Sequence, residues 1–551
     1  MWQIIVRNGI GTKLGKKLSP FFSPNGQVPN PFGTGEFGDT TNVLLHGVVG
    51  DGAVDDTAAI KRAIIVAQEN GTNALFFPAG TYRITAAGLN TDEAAITVPS
   101  NFVIVGTGPK TVIKWEGDTW GGSETHPSDP YYYCFYSPSG YTNIRYENLS
   151  FVGMNAPFTF SKNAQSSCIY AVTGSDLVVK GCTFDDLHGF SIHEDGNSER
   201  THIFDCVTRN CANGINVNGN WTVLTNNRMY NSEGFECAGR SVLIQNNTIK
   251  DALVCAISCG GNTVNNFESP GAQVVGNTID GCDGIGILGN NGFVYSIIAN
   301  NTIRNCDGGG IYLTHDVGQH TVKNNIIANN TVTDCCLAGN PNVSGIQVMG
   351  EGGNLLSGNR CVDTGTGTWI QQYGIALLSN DNVVDGNILK GTNHDLLINT
   401  GVTGTQVGHN LMVNNKVQWL GALNTQEVRR SYGGAAGEYV EFSQIYSNIY
   451  PWWIRYADGK MEWGANNWPL DTNLYRAAAN QLKTDDEFIT ATGLVVGSQK
   501  MRSASSAPAA GTWAQGDIVL NSAPTAGGNI GWVCTSAGTP GTWKTFGTIA
   551  A

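Results

Sequence analysis

Between about residues 145 and 417, short apolar segments alternate with polar positions at period two, and each segment is closed by Asn, Gly or Asp. The same unit keeps returning, as in VLIQNNTIKDALVCAISCGG (242–261), AQVVGNTIDGCDGIGILG (272–289) and SIIANNTIRNCDGGGIYLTHD (296–316). Period two predicts strands, and turn residues at fixed offsets with variable loops between them predict a stacked solenoid. Equivalent Asn residues stand at 227, 247, 277, 301, 330, 359 and 387, so their spacings are 20, 30, 24, 29, 29 and 28 residues. In a parallel coil whose rungs rise about 4.8 Å, such residues become vertical neighbours able to pass amide hydrogen bonds along the stack. The expected fold is all-β, a right-handed parallel β-helix.

Residues 38–84 follow another pattern. Asp55-Asp56-Thr57 reads as a helix N-cap cluster, Ile60, Ala63, Ile64 and Ala67 lie on one face, and Gly71 is the stop. One amphipathic helix here would cover the open end of the coil and hide its strand edges. Asp51 and Asp55 could be taken for a calcium loop, but turn and cap roles account for both. Beyond residue 430 the repeat stops, and a Ser/Ala/Pro stretch at 503–511 suggests a linker between two small modules. The expected segments are an arm (1–36), the start of the coil with its capping helix (37–144), the coil (145–425), a first C-terminal module (426–502) and a terminal module (503–551).

Composition narrows the chemistry. Of 551 residues only 14% are charged, and 35 of the 56 Asn fall between 201 and 420. A net charge of −13 offers no basic stripe for a phosphate backbone, so nucleic acid is not an expected partner. No run reaches the 18 or so apolar residues of a membrane helix, and Ile4–Val6 is too short an apolar core for a signal peptide. The 14 Cys include no CxxC pair and sit in strand registers, as buried thiols would. Gly284–Gly289 spells GxGxxG inside a rung and opens no helix. Neither HExxH nor GxSxG is present. No cofactor or metal is expected.

A coil has no built-in pocket, so a site must be a groove of outward side chains. Counting inward and outward from the Gly that opens each alternating strand makes Ser191 and His193 outward on one rung. Asn216 and Asn218 follow, then Glu236 and Ala238, then Ser258, Leu288, Tyr312 and Gln347. His188, Asn213 and Glu233 precede the opening glycines, and Glu194, Asp195 and Arg240 lie at strand exits. Polar residues therefore concentrate between 188 and 240. Glycoside hydrolysis needs two carboxyl groups about 6.5–9.5 Å apart for inversion, and Glu236 opposite Asp195 or Glu194 could supply them. His193 is an alternative base or proton shuttle. Trp221, at the rim, could stack on a sugar, as could Trp120, Tyr131, Tyr132, Tyr133 and His126 in the segment 115–141, and Trp369. A second group, Tyr312, His315, Asp316 and Glu351 with His320, would suit a uronate lyase if Arg304 or Lys323 faced it. The plain alternative is a solvated polar face.

The segment GDG..DDT..I..A (Gly50 to Ala63) followed by Pro78 to Tyr82 resembles the start of the pectate-lyase-superfamily β-helix domain. The modules at 450–488 and 516–549 resemble C-terminal pieces of bacteriophage tail fibres and tailspikes. The whole chain thus resembles a phage tailspike that degrades a bacterial surface polysaccharide. That resemblance implies a homotrimer made in the host cytoplasm, joined to virion tail proteins and acting outside cells. The polygalacturonase set of NTD, DD, GHG and RIK motifs is missing, so no catalytic residues carry over from it. A non-catalytic glycan-binding fibre and a uronate C5-epimerase remain alternatives.

Overall fold

The computed structural model describes residues 40–551 except 162–163, 261–267, 316–320, 337–343, 365–370, 415–416, 420–438, 444–452, 457–459, 464–471, 479–480 and 486–492. Among the described residues, strands from Thr41–Asn42 to Val417–Trp419 form one sheet of 39 strands, wound so that each pairs in parallel with its equivalent on the next rung. The column begins well before residue 145, where the repeat first becomes legible. Its inward file runs Ile169, Ile192, Ile215, Phe235, Ile257, Ile287, Ile311, Ile346 and Ile375 without a register break. All of these are buried in one continuous core, and each contributes about 1.5–3 kcal/mol relative to an exposed side chain.

The expected Asn file is present and extends to Asn410. Asn301 donates from Nδ2 to Asn330 Oδ1 (2.9 Å) and to Val274 O (2.8 Å). Its own Oδ1 accepts from Asn277 N (2.9 Å) and Nδ2 (3.0 Å). From Asn227 to Asn387 the residue before each of these Asn turns the chain left-handed, with φ 57° at Asn300, 68° at Gly276 and 67° at Gly358. Only Gly and Asn accept that conformation readily, which explains the recurring Asn-Asn and Gly-Asn pairs. A second file, Ser296, Asn325, Asn354 and Asn382, repeats the pattern at another corner. All fourteen Cys are free, and all but Cys255 are buried.

The helix Thr57–Glu69 buries Ala59, Ile60, Ala63, Ile64 and Ala67 against the first rungs. Asp55 Oδ1 accepts from Thr57 N (3.0 Å), while Asp56 turns back to accept from Val49 N (2.7 Å) and Gly50 N (3.1 Å). Asp51 Oδ1 closes its own turn by accepting from Ala53 N and Val54 N.

A second compact unit comprises 433–444 and 448–551. Its described residues form two five-stranded sheets. In the later one, Gln499–Ala504 pairs with Ile518–Asn521, so a strand occupies the 502/503 boundary where the sequence suggests a linker. Ser503 and Ala504 end that strand opposite Leu520 and Asn521, Ala504 packs against the small core of Trp513, Val519 and Cys534, and 505–511 carry no strand.

Candidate functional site

One outward file carries most of the polar residues singled out from the sequence. Reading up the column it is Thr97, Tyr136, Tyr170, His193, Asn216, Glu236 and Ser258, each directly over the last. Thr97 to Glu236 spans five rung steps, about 24 Å. Alternation therefore places His193, Asn216 and Glu236 together, as the register count expects. The opening glycines permit this stacking: a Cβ on Gly214 would lie 1.9 Å from Glu233 O.

At the centre is the carboxylate of Asp195. It accepts from Tyr170 Oη (2.8 Å) on the rung below and pairs with His193 Nε2 at 3.2 Å. The His193 contact, with help from Tyr170 and Asn218, holds Asp195 below the usual aspartate range. Its side chain stays 43% exposed, whereas that of His193 is 11% exposed with Nδ1 buried and unpartnered. The Tyr170 hydroxyl is pushed well above the ordinary tyrosine value by burial and by its bond to Asp195. On the next rung Asn218 donates to Asn216 Oδ1 (3.1 Å), and Asn216 donates to Glu236 Oε2 (2.8 Å). A chain of polar contacts thus joins Asp195 to the exposed Glu236, two rungs or about 9.6 Å further along the axis. Glu233 stands at the start of the same rung. Burial first, then the charges of Glu233 and Glu236 among others, pushes the neighbouring Cys255 thiol up to about 11.

Several expected site residues lie elsewhere. Glu194 points inward: it falls between His193 and Asp195 on an alternating strand, and is fully buried. Its Oε1 accepts from Thr201 Oγ1 (2.6 Å) and from Tyr141 Oη, and burial raises its pKa. Ser191 is buried and donates to Gly214 O (2.8 Å), while buried Asn213 donates to Ala164 O. His188 is tied to Asp118 (3.0 Å) beneath Trp120, so both rings pack rather than line the groove. Trp221 and Arg240 occupy the corner after their strands, where Trp221 N donates to Arg240 O (2.8 Å).

Among the described residues of the second group, Tyr312 Oη accepts from Ser344 N (3.1 Å), and Glu351 is paired with Lys323 (2.8 Å). Arg304 is held by Asp280 (2.8 Å), leaving neither cation committed to Tyr312. His315 is half-buried, and Asp316, His320 and Trp369 lie outside the described residues. Sequence reasoning missed Tyr136 and Tyr170, because the lower rungs carry no visible repeat. The strand Tyr132–Ser137 sits in what reads as an aromatic loop.

Buried Glu194 gives a first prediction. A carboxyl whose folded pKa is raised favours the fold below its unfolded value, and that contribution is lost as pH rises through the folded value. The thermal midpoint of the native chain should therefore fall relative to Glu194→Gln as pH is raised from the ordinary glutamate range. A constant difference between the two melting curves across pH would refute the inward charge.

Comparison with known proteins agrees with this architecture. The family model described as right handed beta helix region matches residues 201–342 and 233–426. One described as rhamnogalacturonase A/epimerase, pectate lyase-like, matches 40–149. Among curated relatives, a mannuronan C5-epimerase of Azotobacter vinelandii is 47% identical over 74 residues, 13% of this chain and 4% of that enzyme. Alginate lyase 7 of the same organism is 38% identical over 96 residues, 15% of this chain and 11% of that one. The matches thus span a small part of either relative. Among solved structures, a double mutant of the tailspike protein of E. coli bacteriophage HK620 in complex with pentasaccharide superposes with a TM-score of 0.51 at 12% identity, covering 81% of this chain and 90% of that one.

Proposed function

We propose that this chain is a tailspike-like depolymerase that hydrolyses glycosidic bonds of a bacterial surface polysaccharide with inversion. The observation that carries the reading is the exposed, ionised Asp195 on the same outward face as Glu236, two rungs away. Inversion requires a base that activates water and an acid across the scissile bond, with room for that water between them. A carboxylate held at low pKa is a weak base, adequate for water attacking an oxocarbenium-like centre and poorly suited to removing a carbon-bound proton. Tyr170 is kept protonated and His193 presents no free nitrogen to the groove, so neither supplies the stronger base that elimination or C5 epimerisation demands. In this reading Asp195 is the base, Glu236 the acid, and Asn216 and Asn218 orient the sugar; Glu233 supports Glu236.

The test is incubation with a panel of bacterial capsular and O-antigen polysaccharides and with mannuronan, following chain length and absorbance near 235 nm. Shortening without new absorbance is expected. Shortening with absorbance would mean a lyase, altered stereochemistry at constant length an epimerase, and binding alone a non-catalytic fibre.

The same reading includes a homotrimer carried on a virion tail and acting outside the host cell in which it is made. Supporting it is an outward apolar file, Ile297, Ile326, Leu355 and Val383, on a face of the column apart from the groove. Ile326 is 40% and Leu355 37% exposed, a row that a soluble monomer would leave in water. Light scattering should give three times the 58.6 kDa chain mass, and a monomer mass would remove this part of the proposal.

A further inference from the structure

Below His193, the outward file opens into a cleft of 390 Å³ lined by Asp92, Glu93, Thr97, Tyr133, Tyr136 and Tyr170, among others. That volume is at the small end of ligand sites, room for about one sugar unit. Its walls are preorganised. Tyr133 Oη donates to Asp92 Oδ1 (2.5 Å), and Tyr170 Oη to Asp195 Oδ2 (2.8 Å), so both phenols are fixed at their far ends. The Tyr133 and Tyr170 rings lie 4.1 Å apart, and Tyr136 stacks on Tyr170 at 5.7 Å. Because Tyr170 belongs both to this wall and to the Asp195 cluster, a sugar in the cleft is next in line to the one over Asp195.

The cleft is also negatively charged. Asp92 and Glu93 are exposed, and hydrogen bonds from the Asn90 side chain and backbone N–H keep Glu93 below the usual glutamate range. Among the described residues no Lys, Arg or His lines the cavity; Lys61 acts on Glu93 from outside it. An acidic sugar there would meet two like charges in a partly enclosed site, whereas an ammonium group would meet carboxylates and tyrosine faces.

We infer that this cleft is a sugar subsite for a unit bearing no acidic group, with an amino sugar preferred. The inference rests on the groove reading above for the direction of the polymer, and it names a substrate class that reading leaves open.

Titration calorimetry on the full chain with three trimers tests it: glucosamine trimer, cellotriose and trigalacturonate. Glucosamine trimer should bind about tenfold more tightly than cellotriose, and trigalacturonate most weakly. Tyr136→Ala should weaken the first two by about tenfold. Glu93→Lys, a change at an exposed position, should reverse the order of the charged pair. Trigalacturonate binding as tightly as glucosamine trimer overturns the inference. So does an absence of binding by all three, or affinities indifferent to both substitutions. These readouts do not involve cleavage. The expected order without any depolymerisation would sink the hydrolase alone, and cleavage lost in Asp195→Asn beside affinities indifferent to Tyr136 would sink the subsite alone.

Discussion

Asp195→Asn is expected to lower turnover of the cleavable polysaccharide by about 10²–10⁴-fold, the usual contribution of a positioned acid or base, while polymer binding changes little. The amide preserves shape and can still meet Tyr170, but it cannot take a proton from water. Glu236→Gln should cost a similar factor by removing the acid, and the double variant should cost much less than the product of the two losses. The pH profile identifies the roles. Since His193 is the main group depressing the Asp195 pKa, the base stays ionised below the ordinary aspartate range. The acid limb of kcat/KM should therefore extend to low pH in the native chain and move upward in His193→Gln. An unmoved limb, or an Asp195→Asn protein with full turnover, would show that the chemistry lies elsewhere on the column.

The second large effect concerns the Asn file. Asn301→Ala removes two acceptor contacts from Asn277 and two donor contacts, to Val274 O and Asn330 Oδ1, all of them buried. Leaving several buried polar groups unpaired costs about 1–3 kcal/mol each, so the rung should lose roughly 3–6 kcal/mol. Rungs touch only their neighbours, so the loss should appear as local opening around 274–330 before the whole column unfolds. Hydrogen exchange by mass spectrometry, peptide by peptide, would reveal it. Asn393→Ala is the control: that exposed amide donates to Gln372 Oε1 (2.9 Å) and should cost under about 1 kcal/mol. Equal protection in both variants would mean that the file is incidental to stability.

These two sites differ in how far the sequence betrays them. The Asn file is legible because the turn before each Asn demands a left-handed residue, so Asn-Asn and Gly-Asn mark every turn of that file from 226 to 387. His193, Asn216 and Glu236 are legible for a related reason, since strict alternation carries the register from each opening glycine. The same rule places Glu194 inside; expecting a carboxylate to face water hid that, although Tyr141 and Thr201 were available to receive it. Tyr136 and Tyr170 were beyond reach because their rungs, between residues 93 and 172, differ in loop length and carry Leu149 where later rungs carry the Asn of the file. His193 illustrates a different limit. Its position follows from alternation, but which nitrogen meets Asp195 and which is sealed off depends on packing by Phe190 and Tyr170, whose rings lie 4.4 and 5.0 Å away.

Along the groove every rung offers a single outward residue at the file, backed by an inward apolar neighbour that never changes character. A replacement in this file can therefore change what one step presents to solvent while the inward core beneath it stays as it is. The column thus separates what a rung shows from what keeps it wound, because the exposed letter and the buried one are different residues.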